Sequence, residues 1–140
     1  ENNINPEYAK QNNIEVYTFL CISKKKELQK YINFLYRAKL FVMPMRYGPL
    51  PGVFIEANYY YTPVITTNIW NAEQMIENGT NGYLIEKPDV KLFVDTILKL
   101  LIDEEKYLNL TVKSHDYATK NFRWEIFIND FLDKFENINN

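Results

Sequence analysis

LFVMPMRYGPLPGVFIEANYYYTPVITT, residues 40 to 67, reads as strand, loop, helix, strand, and that order decides the fold class. Leu40-Phe41-Val42-Met43 is a continuous apolar run stopped by Pro44, which suits a strand buried on both faces of a parallel sheet. Val53 to Tyr60 predicts a short helix after Pro51-Gly52. Pro63-Val64-Ile65-Thr66-Thr67 is a second β-rich run with its proline at the first strand position, where a missing N–H is tolerated.

The flanking sequence repeats the alternation. On the N-terminal side, Glu7 to Gln11 closes a helix, Asn12-Asn13 is a turn pair, and the β-branched and aromatic residues of Ile14 to Leu20 predict a first strand. Ser23 offers an N-cap for a helix in which Leu28, Tyr31, Ile32, Leu35 and Tyr36 recur at helical spacing up to Ala38. On the C-terminal side, Ala72 to Glu77 predicts a short helix, and Asn78 to Gly82 a loop whose glycines can take positive φ. A short strand, Tyr83 to Ile85, comes next. Three amphipathic helices follow, Val90 to Ile102 with Leu92, Phe93, Thr96, Ile97, Leu100 and Leu101 on one face, then Glu104 to Lys120 and Trp124 to Glu136. Strands alternating with helices imply parallel crossovers. The expected fold is α/β: a Rossmann-like, doubly wound parallel sheet with helices on both faces. Ligands in such sheets bind at the carboxyl ends of the strands, which is where residues 44 to 52 fall.

Bulk composition narrows the function classes. The 140 residues suit a single domain, 1–140, with one core. A net charge of -2 removes the basic footprint of a nucleic-acid binder, so no nucleic acid is expected. Lys24-Lys25-Lys26 is followed at once by Glu27 and reads as a solvated helix start. No run approaches the roughly 18 apolar residues of a membrane span, and no basic amphipathic helix argues for membrane contact. Cys21 is the only cysteine, which excludes an internal disulfide and a cysteine-cluster metal site; no metal and no cofactor are expected. His115, the only histidine, lies in a late helix far from the strand ends and reads as structural. Asp103-Glu104-Glu105 lacks metal-ligand spacing and reads as a helix N-terminus, where negative charge complements the dipole. The chain opens with Glu1, not Met, and is expected to be a fragment of a longer protein.

Two features of the opening stretch carry chemistry. A glycine at a helix start lets a ligand approach the backbone, and the free N–H groups around Gly52, Val53 and Phe54 form an anion site. The alternative is that Gly48 to Gly52 merely turns the chain. Glu56 lies one turn on, flanked by core-forming residues, so its carboxylate needs a partner. Ligand hydroxyls would serve, and so would a cation such as Arg46.

Several blocks, in this order and spacing, resemble the C-terminal domain of family 4 glycosyltransferases: residues 36 to 44, Pro51 to Ala57, Thr62 to Ile65, Ile76 to Leu84, and Phe122-Arg123-Trp124-Glu125. The resemblance implies the C-terminal half of a GT-B architecture, two Rossmann-like domains facing a cleft, with a nucleotide diphosphate sugar held mostly by this one. It implies that Glu56 hydrogen-bonds the donor's ribose hydroxyls and that the backbone at Gly52, Val53 and Phe54 meets the diphosphate.

The departures from the pattern are specific. The family's other glutamate, facing the donor sugar, falls at Gly48, so no catalytic residue is assignable. Pro49 replaces a glycine, Met45 a serine and Tyr61 a glycine; Trp70-Asn71 stands where a Gly-Gly pair is common, and Gln74 where a glutamate is usual. The family's Arg and Lys for the leaving diphosphate lie upstream of residue 1.

The implied function is donor binding within a retaining hexosyltransferase that acts on a glycan or lipid-linked saccharide. It would be cytoplasmic, reach the inner membrane face through the rest of the protein, and be inactive without the N-terminal acceptor domain. A catalytically degenerate relative that binds nucleotide or serves assembly is the alternative, favoured by Gly48. A third option is an interaction module presenting Tyr59-Tyr60-Tyr61, residues that more often make core or subunit contacts.

Overall fold

The computed structural model describes residues 5–17, 20–48, 51–123, 125, 126 and 128. They fall into two compact units, Glu1–Phe34 and Leu35–Asn140. Within the first, helix α1 (Pro6–Gln11) is capped by Asn5, whose side chain accepts from Glu7 N at 2.8 Å, and Pro6 occupies the first turn, where its missing N–H is no loss. Of the strand expected at Ile14 to Leu20, the described residues, 14–17 and 20, carry no ladder. A β-rich run becomes a strand only when its backbone finds a neighbour, and here the Ile14 N–H bonds back to Ala9 O while the Tyr17 ring packs on Phe34 at 4.6 Å. Helix α2 (Lys25–Arg37) starts at the exposed lysine run; the Glu27 carboxylate accepts from Cys21 N at 2.6 Å and pairs with Lys24 at 3.4 Å.

The second unit holds the sheet. Strands β1 (Phe41–Met43), β2 (Val64–Thr67) and β3 (Gly82–Ile85) run parallel in the order β1-β2-β3, with Phe41 opposite Val64 and Val64 opposite Gly82. Pro63 precedes β2 and contributes only its carbonyl, which accepts from Phe41 N at 2.9 Å. The centre strand is buried at every position, whereas Val42 in β1 is 41% exposed. The expectation that residues 40–43 are buried on both faces is therefore corrected: among the described residues β1 is an edge strand, and the doubly buried one is β2.

Period-two alternation splits β2 between two helix layers. Ile65 and Ile85 pack with Phe93, Leu100 and Leu110, from helices α4 (Val90–Ile102) and α5 (Glu104–Asn121). On the opposite face Phe41 meets the fully buried Phe54 of helix α3 (Val53–Tyr59), the rings at 70° and 6.1 Å. The sheet thus carries helices on both faces, as expected. The apolar stripe of α4 is narrower than the sequence suggests, since Leu92 and Leu101 are exposed beside buried Phe93 and Leu100. Asp89 and Asp103 cap α4 and α5, accepting from Lys91 N at 2.8 Å and Lys106 N at 3.0 Å. The predicted helix at Trp124 to Glu136 lies almost wholly outside the described residues.

Between β2 and β3 the expected helix at Ala72 to Glu77 shrinks to one 3₁₀ turn, Ala72–Gln74. The Asn81 side chain explains this by taking the backbone groups a longer helix would need: its carbonyl accepts from Glu77 N at 2.7 Å and its amide donates to Met75 O at 2.8 Å. The two glycines of this loop serve different ends. Gly79 has φ +78, whereas a Cβ at Gly82 would lie 2.2 Å from Val64 O, so Gly82 is required by the approach of β2.

Candidate functional site

The chain leaves β1 through Pro44, Met45, Arg46 and Tyr47 to Gly48. Met45 is buried and holds the loop, with its Cε 3.7 Å from where a Gly48 Cβ would stand. Gly48 has φ +121, a backbone that a glutamate rarely adopts. The absent carboxylate is thus matched by a loop conformation suited to glycine. Pro44 and Arg46 face Val90 and Phe93 of α4 across a cavity of about 270 Å³ at the carboxyl end of β1.

Gly52 precedes α3 with φ -55 and ψ -21, ordinary right-handed values. A Cβ there would meet no atom within 4 Å. Neither strain nor crowding among the described residues calls for glycine at this position; the space above the first turn of α3 is open. Of the three amides expected to face an anion, Phe54 N already donates to Pro51 O at 3.1 Å. Gly52 N and Val53 N have no such partner among the described residues. The Phe54 side chain is an anchor buried under the helix.

Glu56 is exposed, not sunk among core residues as its neighbours in sequence suggested. The reason is helical geometry: Phe54, Ala57 and Asn58 form the buried stripe and leave Glu56 outside it. Its side chain borders a groove of about 670 Å³ between α3 and the end of α5, together with Tyr59, Tyr60, Thr119, Phe122 and Arg123. Two separate blocks of the sequence, around Glu56 and around Phe122-Arg123, are therefore brought to one groove. Arg123 Nε also lies 3.4 Å from Glu125, whose carboxyl is held below its ordinary value by its own backbone N–H and by Arg123.

His115 has a structural place, as expected. Its Nδ1 lies 2.6 Å from Tyr59 O at the last turn of α3, and its ring stacks on Tyr61 at 4.0 Å and 7°. Tyr59 and Tyr61 are surface residues, organised around this histidine.

Sequence reasoning missed the polar staple below the site. Asn58 Nδ2 donates to Asn81 O at 2.9 Å, Asn81 Nδ2 donates to Asn58 Oδ1 at 2.8 Å, and Thr62 Oγ1 donates to Leu35 O at 2.5 Å. All three side chains are buried. An asparagine at core spacing, four residues after Phe54, was the available signal.

The defining pattern of the family described as "Glycosyl transferases group 1" matches residues 7–116. The chain belongs to that family. It is 32% identical, over 100 residues, to the capsular polysaccharide biosynthesis glycosyltransferase CapM of Staphylococcus aureus, covering 67% of this chain and 26% of CapM. It is 27% identical over 105 residues to the GDP-mannose-dependent alpha-(1-6)-phosphatidylinositol monomannoside mannosyltransferase of Mycobacterium tuberculosis, covering 68% of this chain and 27% of that protein. The chain thus spans about a quarter of the length of these relatives. The structure superposes on sucrose-phosphate synthase of Thermosynechococcus elongatus with a TM-score of 0.74 at 20% identity, over 94% of this chain and 32% of that one. This likeness supports the Rossmann-like, GT-B type of fold expected from the sequence. Among the described residues, no group of three or more His, Cys, Asp or Glu side chains could hold a metal ion, and no helix is long and apolar enough to cross a membrane.

Proposed function

We propose that this chain is the donor-binding part of a retaining glycosyltransferase that moves a hexose from a nucleotide diphosphate sugar to a glycan or lipid-linked saccharide. The observation that carries this is Gly52: a residue that nothing among the described residues requires to be glycine, at the carboxyl end of the sheet, under open space. A diphosphate over that turn would accept from the Gly52 and Val53 amides, and Glu56 would receive the ribose hydroxyls. Glycosyltransferase relatives support a nucleotide-sugar donor, and the name of the mycobacterial relative includes GDP-mannose. Metal-free donor binding, dependence on an N-terminal acceptor domain and a cytoplasmic site of action belong to the same reading.

Calorimetric titration with UDP, GDP and ADP tests it. Saturable binding of one nucleotide, weakened at least tenfold by Gly52→Ala and by Glu56→Ala, is the expected outcome. Absence of binding to the folded chain by all three would count against it.

Gly48 favours a second reading, a degenerate relative that binds nucleotide without transferring sugar. Its φ of +121 means that Gly48→Glu adds a carboxylate and backbone strain together. Sugar transfer by a protein carrying the unaltered Gly48 would rule this second reading out.

A further inference from the structure

The loop leaving β2 contains two consecutive non-glycine residues with positive φ, Trp70 at +52 and Asn71 at +61. Ala72 N donates to Ile69 O at 3.0 Å, so residues 69 to 72 form a tight turn whose two central residues share the left-handed region. Such turns favour Asn, Asp and Gly. Asn71 fits that preference; an indole does not, because the left-handed conformation brings the Cβ of a bulky L-residue against the following carbonyl oxygen.

Core packing does not offset this, because Trp70 is 65% exposed. The turn is firmly held all the same: Asn68 N donates to Ile85 O at 2.8 Å, Ile69 N donates to Thr67 O at 3.0 Å, and Asn68 Nδ2 donates to Glu86 Oε1 at 3.2 Å. A rigid mount therefore presents a large aromatic ring to solvent in a conformation that glycine would relieve. Its location is the carboxyl end of the central strand, the side from which Arg46 and Tyr47 also leave β1. Tyr47 is 81% exposed, and Glu86 leaves β3 on the same side.

We infer that Trp70 is a stacking platform for a pyranose ring, with Asn68 and Glu86 as hydrogen-bonding neighbours for its hydroxyls. The aromatic face is electron-rich and attracts the C–H face of a sugar, and two rotatable bonds make its ordering inexpensive. The pyranose is either the donor's hexose or the acceptor's terminal sugar. Its place beside the donor rests on the proposed donor-site reading; the stacking itself does not.

The test follows tryptophan emission on the chain and on Trp70→Gly, the difference between them being the Trp70 signal. Titrants are UDP, UDP-galactose, GDP, GDP-mannose and maltose, each also measured by calorimetry. The inference expects a sugar-bearing titrant to change Trp70 emission beyond the matching nucleotide, and to bind roughly fivefold more weakly to Trp70→Gly. Nucleotide affinity should be unaltered, and the melting midpoint of the variant should be at or above that of the unaltered chain. A response to a nucleotide sugar assigns the ring to the donor, and a response to maltose alone assigns it to the acceptor. Nucleotide binding with a Trp70 signal indifferent to every sugar would overturn the inference and leave the donor site standing. A maltose response with no nucleotide binding would do the reverse. A melting midpoint lowered by Trp70→Gly would also overturn it, since the indole would then be serving the fold.

Discussion

The side-chain amides of Asn58 and Asn81, 23 residues apart, hydrogen-bond each other at 2.8 Å, and both are almost wholly buried. Asn58 reaches from α3, and Asn81 reaches back to Met75 O and Glu77 N in the segment before β3. The pair fixes the helix of the proposed donor site to the sheet.

Asn81→Ala should therefore cost about 2–3 kcal/mol of unfolding free energy, because it strands buried polar groups on both sides. Urea titration measures this. A double-mutant cycle with Asn58→Ala should show strong coupling, the second truncation costing much less than the first.

The two glycines of the loop should respond differently to alanine. Gly79→Ala meets only ordinary contact, with Tyr83 Oη at 3.9 Å, and loses about 1–2 kcal/mol to its positive φ. Gly82→Ala drives a methyl to 2.2 Å from Val64 O and should prevent the β2–β3 pairing, with a loss above about 4 kcal/mol or failure to accumulate folded protein. Equal losses would refute the distinction.

At Gly52 the opposite holds. Gly52→Ala should leave stability within about 1 kcal/mol, since its φ and ψ are already helical and its Cβ would meet nothing within 4 Å. Nucleotide affinity should fall at least tenfold. Exposed Glu56 should behave likewise on substitution by alanine, with stability changed by about 0.5 kcal/mol or less. Thermal melts beside calorimetry separate the two quantities.

Thr67 Oγ1 is buried at the end of β2 without a hydrogen-bond partner among the described residues. Thr67→Val removes that unsatisfied group while keeping the branched shape, and should raise stability by about 1 kcal/mol. The paired Thr66, whose Oγ1 donates to Met43 O at 2.8 Å, should lose stability on the same change.

His115→Ala should destabilise the α3–α5 contact by about 1–2 kcal/mol, because Tyr59 O loses a hydrogen-bond partner and Tyr61 loses its stacked neighbour. Nucleotide affinity should change less than twofold, which distinguishes a support from a ligand-binding residue.

Local order was legible without coordinates. The apolar run at 40–43, the helix from Val53, the strand after Pro63 and the capped helices after Asp89 and Asp103 follow from periodicity, caps and breakers, all properties of neighbouring residues. The spacing of Gly52 and Glu56 along one helix was legible for the same reason. Only the tertiary structure decided that Ile14 to Leu20 lacks a ladder in its described part, that β1 is an edge among the described residues, that Glu56 is exposed and that Asn81 curtails the helix at Ala72. It also decided that Tyr61, Trp70 and Asn71 hold positive φ without being glycine. Those outcomes depend on partners far away in sequence: a neighbouring strand, a buried amide, hydrogen bonds that pin a turn at both ends. A linear pattern records which residues are available for such contacts, but the energy that selects among them appears only when the distant groups meet.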